Sequence, residues 1–119
     1  MSFDGYRVKT SSNATVYVVI NNQKRAIPDM TTFNNLFDNT TDIQVVTQAQ
    51  LNSISPGATL TSGAVLAKGS GATVYLITNN QRLPIMSMET VDKYDFDINK
   101  VVTTPDVILN LIAQGAVIS

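Results

Sequence analysis

A ten-residue stretch occurs twice in this chain of 119 residues: Ala14 to Gln23 and Ala72 to Gln81 agree at seven of ten positions, offset by 58. No other feature constrains the fold as much, because a unit of about 58 residues buries too little apolar surface to be more than marginal alone. The two copies, residues 1–61 and 62–119, are therefore expected to press their apolar faces together as one compact domain. The offset of 58 carries Val8 onto Leu66 and Ile27 onto Ile85. It slips to 56 where Val45-Val46-Thr47 meets Val101-Val102-Thr103, and returns to 58 at Gly57 and Gly115. A length change of two residues in one loop accounts for the slip.

Within each copy, Thr15 to Ile20 and Thr73 to Thr78 are β-branched and aromatic, and each runs into Asn-Asn-Gln. Asn tolerates positive φ, so Asn21-Asn22 and Asn79-Asn80 predict tight hairpins into Lys24 to Ile27 and Arg82 to Ile85. Pro84 makes the second of those arms an edge or a strand already ending. Tyr6 to Thr10 and Ala64 to Lys68 supply a third strand in each copy. Met30, Phe33, Leu36 and Phe37 have helical spacing behind a capping Asp29, and Met88 to Tyr94 is the shorter counterpart. Short extended pairs at Val45-Val46 and Val101-Val102 precede helices beginning at Thr47 and near Pro105, the latter capped by Thr104. The reading is an α+β fold: two pseudo-symmetric repeats, each a small antiparallel β-sheet with short helices.

Composition narrows the chemistry. With 8 Lys and Arg against 9 Asp and Glu, the chain has no electrostatic footprint for phosphates, which argues against nucleic-acid partners and anionic membranes. No apolar stretch is long enough to span a bilayer. There is no His and no Cys, so the usual neutral-pH base, thiol chemistry and zinc-thiolate sites are excluded. The 14 Thr and 11 Asn outnumber the 17 charged side chains, so neutral hydrogen bonding dominates the polar chemistry. No paired carboxylates stand at a recognisable spacing, and no cofactor is called for; the expectation is a protein that is not an enzyme.

The run Lys24-Arg25-Ala26-Ile27-Pro28-Asp29, then Thr32-Phe33-Asn34-Asn35-Leu36, Val45-Val46-Thr47 and Ser55-Pro56-Gly57-Ala58 resembles tandem repeats of bacterial surface proteins and phage virion proteins. Together the two copies cover nearly the whole chain, although the second departs at Arg82-Leu83-Pro84-Ile85-Met86-Ser87. The resemblance implies a module for display, attachment or assembly on a virion or cell surface, as a homo-oligomer or docked on a repetitive scaffold. It carries no ligand-binding residue set. Met1 to Tyr6 lacks a basic start followed by an apolar run, so display would use another route or follow loss of a leader; otherwise the location is cytoplasmic.

Three constellations are candidates for sites. Tyr17 and Tyr75 can stack on a sugar while Asn21, Asn22, Gln23, Asn79, Asn80 and Gln81 bond its hydroxyls, which would make a two-site lectin; against this, a mid-strand Tyr packs and Asn pairs serve turns. Asp95, Asp97, Asn99 and Asp106 have some of the spacing of a calcium loop, but Lys100 replaces the turn glycine and the closing acid is Asp, so a solvated acidic loop is the simpler reading. Lys24, Arg25 and Arg82 form a small basic edge for an anionic partner, or edge charges that block unwanted strand pairing. Asn13 and Asn39 begin glycosylation patterns that the abundance of Asn and Thr already accounts for.

Overall fold

The computed structural model describes residues 3–119, so Met1 and Ser2 of the N-terminal reading lie outside the described residues. Both Asn pairs form the expected turns: φ is 50° and 64° at Asn21 and Asn22, and 53° and 60° at Asn79 and Asn80. Positive φ at two successive residues matches the twist of the flanking strands. The turns join β2 (Tyr17–Ile20) to β3 (Gln23–Ala26) and β7 (Tyr75–Thr78) to β8 (Gln81–Pro84). Ahead of each hairpin stands a third antiparallel strand, β1 (Arg7–Lys9) or β6 (Val65–Lys68).

The helices follow their caps. Asp29 accepts from the Thr32 amide at 2.8 Å to open α1 (Met30–Leu36), and Ser87 accepts from the Thr90 amide at 3.2 Å to open α3 (Met88–Lys93). Thr47 and Gln50 close a reciprocal capping box on α2 (Gln48–Asn52). The counterpart α4 (Asp106–Leu109) starts after Pro105 with no side-chain cap. Thr104, expected there, instead turns its hydroxyl toward the Val102 carbonyl at 3.4 Å. The fixed φ of Pro105 sets the entry angle that a cap would otherwise define.

Each half is completed by strands that return parallel. β4 (Ile43–Val45) pairs with β1 and β5 (Ser55–Pro56) with β3. β9 (Val102–Thr103), which follows a 3-10 turn at Ile98–Lys100, pairs with β6, and β10 (Ala113–Gln114) with β8. The sheet orders, β4-β1-β2-β3-β5 and β9-β6-β7-β8-β10, are therefore the same arrangement built twice. The fold is α+β in two like halves, with an antiparallel centre and parallel flanks. The short flanking strands β5 and β10, which no sequence pattern marks, make β3 and β8 interior strands. Pro84 fits because it ends β8, opposite Tyr75.

The ladders also correct the repeat register. Lys9 faces Val45 as Lys68 faces Thr103, so the second pair of elements keeps the offset of 58 and the slip to 56 does not occur. The displacement lies instead in the first strands: Arg7 faces Val18 as Leu66 faces Leu76, an offset of 59. Arg7, not Val8, stands where Leu66 stands, pointing into the core.

That core belongs to both halves. Val18, Ile20, Phe33, Leu36 and Phe37 from the first pack with Leu66, Leu76, Val91, Tyr94 and Phe96 from the second. The Phe37 and Phe96 rings stack across the seam at 5.5 Å. On the outer face of the first sheet, α2 covers a satellite cluster of Val8, Val19, Val46, Leu51 and Ile54.

Candidate functional site

Tyr17 begins β2 and Asn21 follows its end, so at about 3.3 Å per residue they lie about 13 Å apart along the strand. The same separation divides Tyr75 from Asn79, and the structure does not bring either Tyr together with its Asn pair. Each ring is half-buried against a cation: Lys24 Nζ lies 6.0 Å from the Tyr17 centroid, and the Arg82 guanidinium 5.5 Å from that of Tyr75. Those cations also hold the outer helices. Lys24 Nζ donates to the Leu51 carbonyl at 2.8 Å, and Arg82 donates to the equivalent Leu109 carbonyl at 3.0 Å. Lys24 and Arg82 thus lie on interior strands and spend their charge within the fold, which corrects their reading as edge charges.

The Asn turns join the halves. Asn21 Nδ2 donates to the Val117 carbonyl at 2.9 Å, and its Oδ1 accepts from the Ser119 amide at 3.1 Å. At the equivalent place Asn79 Nδ2 donates to the Thr59 carbonyl at 3.0 Å, and its amide donates to Thr61 Oγ1 at 2.8 Å. Arg25 adds a bond to Asn79 Oδ1. Each hairpin tip therefore grips the closing segment of the other half, the reciprocal pattern of a twofold contact. Asn22 and Asn80 are exposed on the same turns; the Asn22 amide donates to Asp4 Oδ1 at 2.9 Å.

The oxygen donors of the calcium-like stretch part company. Asp95 turns to Arg7 at 2.7 Å, Asp97 accepts from the Asn99 amide at 2.9 Å, and Asp106 accepts from the Ser70 amide and hydroxyl. Among the described residues no group of three or more acids converges as a metal cage. Asn13 and Asn39 use their Oδ1 atoms on the Thr15 and Thr41 amides, local turns that explain the Asn-x-Thr spacing.

Two surface grooves are the structure's own addition. One of about 220 Å³ is lined by Ala14, Thr15, Val16, Ile27, Met30 and Phe33, with Pro28 and Asp29. The other, about 210 Å³, is lined by Ala72, Thr73, Val74, Ile85, Met88 and Val91, with Met86 and Ser87. The linings correspond position for position at the offset of 58, and Ala, Thr, Val, Ile and Met recur unchanged. Val16, Val74, Ile27 and Ile85 belong to or border the core, which accounts for their likeness. Met30 and Met88 do not: they are 54% and 52% exposed at equivalent lips. In the sequence the identical Ala-Thr-Val is legible only as repetition, since nothing there says that this stretch faces the start of a helix.

A scan against family models and searches of curated proteins and of solved structures find no match to this chain. No helix of the described residues is long and apolar enough to cross a membrane.

Proposed function

We propose that this chain is a non-enzymatic attachment or assembly module that binds through its two equivalent grooves, on a virion or cell surface. The observation that carries the reading is that one body offers two position-matched grooves, identical at five of eight lining residues, each with an exposed Met at its lip. Met is flexible and polarizable, suited to accepting a partner's apolar side chain. Two like grooves on one body match a protein partner that repeats the same feature, where the second contact forms at high effective concentration. The occupant is therefore an apolar side chain of a repetitive protein scaffold, with self-association one form of such a scaffold.

Photo-reactive amino acids placed singly at Met30 and Met88 in the producing cell test this. The same partner protein should be captured from both positions, and capture should weaken when the other Met is replaced by Glu. Adducts at neither site would overturn the proposal. So would glycan binding that disappears with Tyr17→Ala and Tyr75→Ala while both Met→Glu variants bind normally.

A further inference from the structure

Arg25 holds in β3 the ladder place that the buried Leu83 holds in β8, opposite Val18 and Leu76 respectively. Both side chains line one cavity of about 130 Å³, together with the equivalent pair Gln23 and Gln81, so the cavity lies where the two halves meet. Its apolar lining includes the buried Ile20 and Ile118, and no acidic residue lines it. It shares no lining residue with either Met-lipped groove.

The Arg25 guanidinium is fixed on one side. Nε donates to the Ala58 carbonyl at 2.8 Å, and Nη2 donates to Asn79 Oδ1, an oxygen that also accepts from the Thr78 hydroxyl at 2.9 Å. Nη1 has no hydrogen-bond partner among the described residues. Arg7 meets Asp95 and Lys93 meets Asp4, but no described carboxylate pairs with Arg25. Burial alone moves its guanidinium below the ordinary value, with no opposing charge. The Gln23 and Gln81 side-chain amides likewise bond to none of the described residues. An Asn-Asn turn requires nothing of the Gln side chain that follows it, so the fold does not explain why Gln stands there in both copies. A half-buried cation without an anion and two unused amides thus border one cavity beside buried apolar surface, where charge is less screened than in water.

We infer that this seam cavity is a carboxylate-binding site, with Arg25 Nη1 as the charged donor and the Gln23 and Gln81 amides as neutral ones. The open edge of a guanidinium offers parallel N–H groups that match the two oxygens of a carboxylate. One positive charge suits one negative charge. The second charge of a phosphate would find no cation, since no Lys or other Arg lines the cavity. Because both halves supply donors, the bound anion also ties them together.

Side-chain NMR of Arg25, Gln23 and Gln81, with acetate titrated into the intact protein at neutral pH and ionic strength held constant with chloride, tests the site. All three groups should shift saturably with one affinity. Arg25→Gln should weaken that affinity about ten- to a hundredfold, the loss expected of a hydrogen bond to a charged group. Gln23→Ala/Gln81→Ala should weaken it about fivefold, read at Arg25, and removes no hydrogen bond of the fold. N-acetylglutamate amide binding tighter than acetate would assign the carboxylate to a partner's acidic side chain, and equal binding would assign it to a free small acid. Acetate shifts no larger than those of chloride, tighter binding of inorganic phosphate, or undiminished affinity in either variant would overturn the inference.

Discussion

At the scale of single residues, close approach and backbone angle can be separated with two glycines. A Cβ on Gly115 would run into Leu83 Cδ2 and come within 2.8 Å of Gln81 Oε1, where β10 returns alongside β8. Since Leu83 is buried, Gly115→Ala is expected to cost about 1–3 kcal/mol in a denaturant titration, the range of overpacked sites. A Cβ on Gly63 would meet nothing within 4 Å, but φ there is +88°. Gly63→Ala should therefore show the conformational cost alone, about 1–2 kcal/mol. Two exposed aspartates are expected to contribute to the acid limb of stability. Asp29 is held below the ordinary carboxylate range first by the Ser62 hydroxyl and then by Thr32, and Asp106 by the hydroxyl and amide of Ser70. Groups lowered in the folded state stabilise above their unfolded value, about 4, and that contribution is lost as pH falls through the folded value. The loss of stability between pH 4.5 and 2.5 should thus be shallower in Asp29→Asn/Asp106→Asn than in wild type, by urea midpoint. An equal loss would assign the acid limb to other groups.

Among the elements, turns and caps were legible because their chemistry is local. Asn80 has φ of 60° on a turn whose shape two side chains per half were already suited to. Asn80→Gly should be neutral or mildly stabilising, whereas Asn80→Val should cost about 1–2 kcal/mol, the penalty of a branched side chain in left-handed backbone. Thermal unfolding of the pair would show whether both variants instead behave alike. Thr47 and Gln50 form a complete capping box, so Thr47→Ala is expected to lose about 1 kcal/mol. The matching change at Thr104, which caps nothing, should fall within about 0.5 kcal/mol of wild type. The two-residue strands β5 and β10 were illegible for the opposite reason. Ser55-Pro56 and Ala113-Gln114 have no strand propensity to speak of, and their pairing exists only because α2 and α4 return the chain beside β3 and β8.

For the whole molecule, the shared core makes independent melting of the halves untenable. Phe37 is fully buried in a cluster drawn from both, and it stacks on Phe96 of the other half. Phe37→Ala should lower stability by about 3–5 kcal/mol and do so in a single cooperative transition, with calorimetric and van't Hoff enthalpies equal. Two resolved transitions would show that each half holds a core of its own. The reciprocal Asn21 and Asn79 contacts point the same way, since neither hairpin tip finds these partners within its own half.

The duplication, the hairpins with their Asn turns, the first turns of α1 to α3 and the absence of His and Cys chemistry follow from residue order and type, because each depends on neighbours within a few positions. The tertiary structure decided that Arg7 rather than Val8 enters the core, that Lys24 and Arg82 hold helix ends, and that two grooves with Met lips lie open. Those outcomes depend on which strand pairs with which and on a one-residue displacement in a ladder. In a strand such a displacement reverses the face of every side chain, and chain-local preferences are nearly blind to it.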